Sequence, residues 1–145
     1  MNESIAADLL LELVGRMRHH FASVALSLDL TPPQMGMLKE LGEGTPMGAL
    51  ASMVGCDASN ITWMTDRLEE RGLVERVADP RDRRVKRLVL TESGRRMRKQ
   101  IERRLRAAVP VDHLSLTERR TLARLVERML ESVPAQHGGH HAAPL

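Results

Sequence analysis

Apolar residues recur along the first part of the chain at a helical period. Ile5, Leu9, Leu13, Met17, Phe21, Val24 and Leu28 form one row, and Leu10 and Val14 begin a second. Residues 5–28 are therefore predicted to be one amphipathic helix. A stripe this wide needs more than one packing partner. Three shorter helical patterns follow, each with a start signal and a glycine stop. In the first, Thr31 is the expected N-cap, Pro32 takes the opening helical position, and Gly42 and Gly44 end the helix. In the second, Thr45 and Pro46 repeat the device and Gly55 terminates. The third restarts with Asp57 as cap and stops at Gly72, with Ile61, Met64 and Leu68 on its inward face.

The period then changes. "LVERVA" and "RVKRLVLT" are β-branched and aliphatic runs flanking Asp79-Pro80-Arg81-Asp82, a hairpin signal. Helical spacing returns from about Glu92 to Ala108, with Met97, Ile101 and Leu105 in one row. Pro110 interrupts it. Ser115 to Glu118 reads as a capping box. The helix behind it runs to about Val133, with Leu122, Leu125, Val126, Met129, Leu130 and Val133 on one face.

Two short helices joined by the "GCD" turn, with a hairpin directly behind them, make a winged helix. The expected fold class is mainly α. A winged helix-turn-helix occupies residues 31–91, dimerisation helices occupy 1–30 and 92–134, and a disordered tail occupies 135–145. The apolar rows of the long helices exceed what the winged domain can cover, which predicts a homodimer.

Charge sharpens this picture. Residues 1–72 hold 5 Lys/Arg against 10 Asp/Glu, whereas residues 73–106 hold 13 against 5. Local basicity in an otherwise mildly acidic chain points to a polyanion met by one region, and the basic hairpin turn suits a phosphate backbone or a minor groove. No apolar run approaches a membrane span. The opening residues do not read as a secretory signal, and the single cysteine suits a reducing compartment. The expected location is the cytoplasm. No Ser-His-Asp or Cys-His grouping, phosphate-binding glycine loop or paired carboxylates in a cleft suggest an enzyme.

The stretch from Ala49 to Gly94 carries "DRLEERGLVER", "DPRDRR" and "LTESG" in fixed succession. In these motifs, and in the order of its helices, the chain resembles the multiple antibiotic resistance regulator (MarR) family. The resemblance implies a homodimeric winged-helix transcription factor, commonly a repressor, bound to double-stranded DNA at an inverted-repeat operator. It also implies release by a small aromatic or anionic effector, or by thiol oxidation. The family's Asp-x-Arg wing feature falls on Asp82 and Arg84. It implies that Arg84 enters the minor groove and that Asp82 holds its side chain. A guanidinium is planar, always charged and weakly hydrated, which suits a narrow groove of negative potential. A carboxylate two residues away along a strand would share its face. Arg81 and Arg83 complete the basic turn.

On the recognition helix, about Ala58 to Arg71, the exposed residues should be Ser59, Asn60, Thr62 and Trp63, with Arg67 one turn on. Asn pairs bidentately with adenine, and Ser or Thr reaches bases or phosphates. Trp63 departs from the family's usual polar residue. Its indole either packs against the wing base or an adjacent helix, or meets sugar or a thymine methyl. RNA binding or a protein interaction is the competing use of such a fold.

The resemblance further implies a pocket between the dimerisation helices and the winged domain. Candidates are Arg16, His19, His20 and Phe21 on the first helix and Met35 and Leu38 on the second. An Arg among apolar neighbours could anchor a carboxylate. With no Tyr, one Phe and one Trp, such a pocket would be lined by methionine rather than by aromatic rings. Cys56 lies before the recognition helix, whose positive end would lower a thiol pKa. It is a candidate redox switch, but a structural small residue is the favoured reading, because peroxide-sensing members of the family usually carry their reactive cysteine in the first helix and this chain has none there. The histidines lack the fixed spacing of a metal site, so no metal or cofactor is expected.

Overall fold

The structure is a computed structural model that describes residues 3–133. The tail expected to be disordered, 135–145, lies outside the described residues. Six helices carry the chain: α1 (Glu3–Ser27), α2 (Pro32–Glu40), α3 (Met47–Val54), α4 (Ala58–Glu70), α5 (Glu92–Ala108) and α6 (Leu116–Ser132). Strands β1 (Thr45–Pro46), β2 (Val74–Ala78) and β3 (Lys86–Leu90) form one antiparallel sheet in the order β1-β3-β2.

Local chemistry sets most of these boundaries. Thr31 caps α2, and Gln34 reaches back to the Thr31 N–H (2.9 Å) to complete a capping box. Ser115 and Glu118 do the same for α6. The Ser115 hydroxyl (2.7 Å), and then its N–H (2.8 Å), donate to the Glu118 carboxylate and hold it below its ordinary pKa. Gly55 ends α3 in the left-handed conformation, φ 71°, which glycine adopts without steric cost.

One expected boundary is corrected. Thr45 and Pro46 do not open α3 as cap and first residue. They pair with β3, Thr45 opposite Leu88 and Pro46 opposite Arg87, and α3 begins at Met47 without a side-chain cap. The hairpin is therefore part of a three-stranded sheet. Pro46 is tolerated there because β1 is an edge strand.

The core collects the end of α1 (Ala25, Leu28), the inner faces of α2 (Met35, Met37, Leu38) and α4 (Ile61, Met64, Leu68), Leu50 of α3, Leu88 and Leu90 of β3, and Ile101 of α5. It stops there. The first half of α1 leaves Ile5, Leu9, Leu11, Leu13 and Val14 exposed, and α6 has no buried residue at all. Among the described residues nothing buries a face of this 17-residue amphipathic helix, which leaves its hydrophobic requirement unmet there. Among the described residues, no helix is long and apolar enough to cross a membrane.

Candidate nucleic-acid interface

α4 follows α3 after a three-residue turn, Gly55 to Asp57, and turns one face inward. Ile61, Met64, Thr65 and Leu68 are buried. Ser59, Asn60, Thr62, Trp63 and Arg67 are exposed, as the inward period requires. The Thr62 hydroxyl donates to the Ala58 carbonyl of its own helix (3.4 Å). Trp63 is 54% exposed, so its indole is not buried against the wing base or a neighbouring helix. The Arg67 guanidinium instead lies 5.7 Å from its ring centroid. Asp57 holds the N-cap position, but its side chain makes no capping bond. Thr65 Oγ1 is buried without a partner among the described residues.

The wing hangs from β2 and β3, paired from Val74–Leu90 to Ala78–Lys86. Its tip, residues 79–85, is closed by backbone bonds from the Asp79 N–H to the Val85 carbonyl (2.9 Å) and from the Val85 N–H to the Asp82 carbonyl (3.0 Å). Two aspartates shape it in the same way. Asp79 Oδ1 accepts the Arg81 N–H (2.7 Å) and Asp82 Oδ1 accepts the Arg84 N–H (3.0 Å). Both are side-chain-to-backbone turns that Asp favours.

The expectation for Asp82 and Arg84 is thereby corrected. They lie on a turn rather than on a strand, and the carboxylate holds the Arg84 backbone rather than its guanidinium. Among the described residues the guanidinium groups of Arg81, Arg83 and Arg84 make no ion pair and are open to solvent.

Sequence reasoning missed the residue that anchors the wing. Asp79 is only 7% exposed and forms an ion pair with Nε of Arg87, across the hairpin. Arg87 also donates from Nη1 to the Gly44 carbonyl (3.2 Å), just before β1. The bond from the Arg81 N–H, followed by that from Arg87, holds the Asp79 carboxyl below its ordinary value. Gly44 has φ +129°, and a side chain there would press on Arg87 at 3.3 Å.

A second missed residue ties wing to helix. Arg76 of β2 donates to Asp66 (2.5 Å) and to Glu69 of α4, and its backbone N–H donates to Glu69 Oε1 (3.1 Å). The wing and the recognition helix are thus held in fixed relation. Arg71, just beyond α4, donates to the carbonyls of Asp29 and Leu28 (3.2 Å for Leu28). This links the recognition helix to the end of α1.

The pocket candidates do not come together in the single chain. Met35 and Leu38 fill the core, and Phe21 packs against its edge. His19 and His20 are exposed, and Arg16 is exposed and paired with Glu12. A shallow recess on α1 lies between Leu9, Glu12, Leu13 and Arg16. Cys56 also departs from expectation. Burial, and then the neighbouring Asp57 carboxylate, push its thiol pKa up rather than down.

Comparison with known proteins agrees with this geometry. The MarR family model matches residues 30–86, from the turn before α2 into the wing. The chain is 42% identical over 71 residues to YsmB, an HTH-type transcriptional regulator of Bacillus subtilis, covering 47% of this chain and 48% of that protein. It thus spans about half the length of this curated relative. A Thauera aromatica regulatory protein named for the hcr operon is 31% identical over 123 residues, covering 80% of this chain and 72% of that protein. Among solved structures, CouR from Rhodococcus jostii RHA1, bound to p-coumaroyl-CoA, superposes with a TM-score of 0.66 at 31% identity, covering 86% of this chain and 87% of that one.

Proposed function

The chain belongs to the MarR family of transcriptional regulators, and from that premise we propose that it is a homodimeric, sequence-specific repressor that releases duplex DNA on taking up a small anionic aromatic ligand. One observation carries the DNA reading. Arg76 fixes an exposed polar helix face and a turn of unpaired guanidinium groups to the same frame. The helix suits the major groove, where base edges differ, and the wing suits the adjacent minor groove or backbone. Ser59, Asn60, Thr62, Trp63 and Arg67 read bases or their flanking phosphates. Arg84 enters the minor groove, and Arg81 and Arg83 meet phosphates.

The unpacked α6 and the open half of α1 support the homodimer. A twofold axis then sets an inverted-repeat operator with half-site centres about 10 bp apart. The ligand class is supported by the 31% identical neighbour bound to p-coumaroyl-CoA, which is both aromatic and polyanionic. In the dimer, Arg16 and His20 of α1 are the groups available to its anionic portion, and Phe21 is the ring beside them. The cytoplasm is the proposed location.

Selection from a random duplex library, followed by footprinting, tests the reading. Two protected half-sites related by a dyad, lost on adding p-coumaroyl-CoA, are expected. Preference for RNA over duplex DNA would overturn the DNA reading. Protection unchanged by that probe would overturn the proposed class as probed.

A further inference from the structure

α4 carries two exposed rows with different fates. Asp66, in one, is tied back to Arg76 of the wing. The other, Asn60, Trp63, Arg67 and Glu70, follows the helical period down the solvent side without a tertiary partner among the described residues. We propose that Trp63 and Arg67 of this row act as one reading unit. The guanidinium takes the guanine of a G·C base pair, and the indole takes the thymine methyl of a neighbouring A·T base pair. The proposal rests on the DNA-binding reading above and adds the bases this helix prefers.

The geometry of the pair supports it. The Arg67 guanidinium stands 5.7 Å from the Trp63 ring centroid, and its Nη1 donates to Glu70 Oε2 (3.0 Å). The ring contact and the ion pair both bias the guanidinium toward this face before DNA arrives, which favours binding. Both Arg67 and Glu70 are exposed, so their ion pair is readily exchanged for a better partner. A guanidinium held over a ring face keeps N–H donors free, and guanine O6 and N7 are the matching bidentate acceptors in the major groove.

Glu70 also steers the choice. A carboxylate beside Arg67 is repelled by phosphates, so this arginine is directed to base edges rather than to backbone. The indole has one donor and no acceptor, and its exposed face is apolar. The thymine methyl is the apolar group on the major-groove edge. Residues four apart rise about 6 Å along the helix. Their heads stand 5.7 Å apart, between one and two base-pair steps of about 3.4 Å, so the pair spans neighbouring base pairs.

The test uses the full chain and duplexes selected from a random pool by the wild-type protein. Single thymines are replaced by deoxyuridine, which removes only the methyl, and single guanines by 7-deazaguanine, which removes only N7. One thymine per half-site should cost wild type roughly fourfold in Kd, the worth of one buried methyl-sized group. An adjacent guanine should cost about tenfold. Trp63→Ala should abolish the thymine effect and weaken the guanine effect, and Trp63→Phe should restore part of both. Arg67→Lys should keep affinity for random DNA but weaken the guanine effect, because it lacks the planar fork. Circular dichroism should be unchanged throughout, since both side chains are exposed.

Selected duplexes that bind equally well with uridine at every thymine would overturn the proposal alone. So would an undiminished guanine effect in Trp63→Ala. Failure to select any sequence above the random pool would overturn it together with the reading it rests on.

Discussion

Asp79 and Arg87 face each other across the wing hairpin as an ion pair, with the carboxylate almost wholly out of solvent. Because Arg87 also holds the Gly44 carbonyl, the pair joins both hairpin strands to the strand behind them. The folded carboxyl has a lowered pKa, chiefly through the Arg81 N–H and then through Arg87. The stabilisation from Asp79 is therefore fully present above the ordinary carboxylate pKa. It is lost as pH falls through the lower folded value, on the acid side of about pH 4. Asp79→Asn should melt below wild type at neutral pH, and the two curves should converge in acid. A gap that persists unchanged at pH 2 would show that the charge is not what Asp79 supplies.

Gly94 is expected to tolerate no side chain. A Cβ there would lie 1.9 Å from the Leu73 carbonyl oxygen, and the backbone on both sides is pinned. Thr91 accepts the Gly94 N–H (3.0 Å) and donates to the Gly72 carbonyl (2.5 Å). Gly94→Ala should cost about 2 kcal/mol or more in urea unfolding. A loss under about 0.5 kcal/mol, the usual range for surface positions, would mean that α5 shifts freely on the sheet.

Leu125 lies on the exposed apolar face of α6. Burying one leucine is worth about 2 kcal/mol, and a twofold interface counts it twice. Leu125→Asp should raise the dimer dissociation constant on the order of a thousandfold by sedimentation equilibrium. Wild-type melting should rise with protein concentration. A wild type that stays monomeric and folded at micromolar concentration would remove the basis for the twofold operator.

Cys56 should behave as an unactivated thiol, since burial and Asp57 raise its pKa. Alkylation by iodoacetamide at pH 7 should be slower than for a free thiol, and peroxide should leave DNA binding intact. Rapid alkylation, or peroxide-induced release reversed by a thiol reductant, would restore the redox switch as a working mechanism.

What could be read from the sequence was local. The inward trio Ile61, Met64 and Leu68, the span of α5 from Glu92 to Ala108, and the Ser115 capping box follow from periodicity and cap chemistry within a few residues. What escaped depends on distant partners. Thr45 and Pro46 carry a helix-start signature, and only β3 makes them a strand. Two aspartates share one turn, and only Arg87 and Gly44 decide that Asp79 is the buried one. Met35 and Leu38 read as pocket candidates, because sequence pattern does not distinguish a packed core from a ligand cavity.

Reading of DNA by the wing through Arg84 is tested most directly by affinity for specific and random duplexes measured side by side. Arg84→Ala should weaken binding to the selected operator by about 1–3 kcal/mol with the fold and dimer intact. Its salt dependence should become shallower. Asp82→Ala should cost less, because it frees the Arg84 backbone N–H but leaves the cation in place. Arg81→Ala and Arg83→Ala should weaken specific and random duplexes about equally. If all three arginines have the same effect on both duplexes, the turn is a general basic patch, and the assignment of Arg84 to the minor groove is wrong.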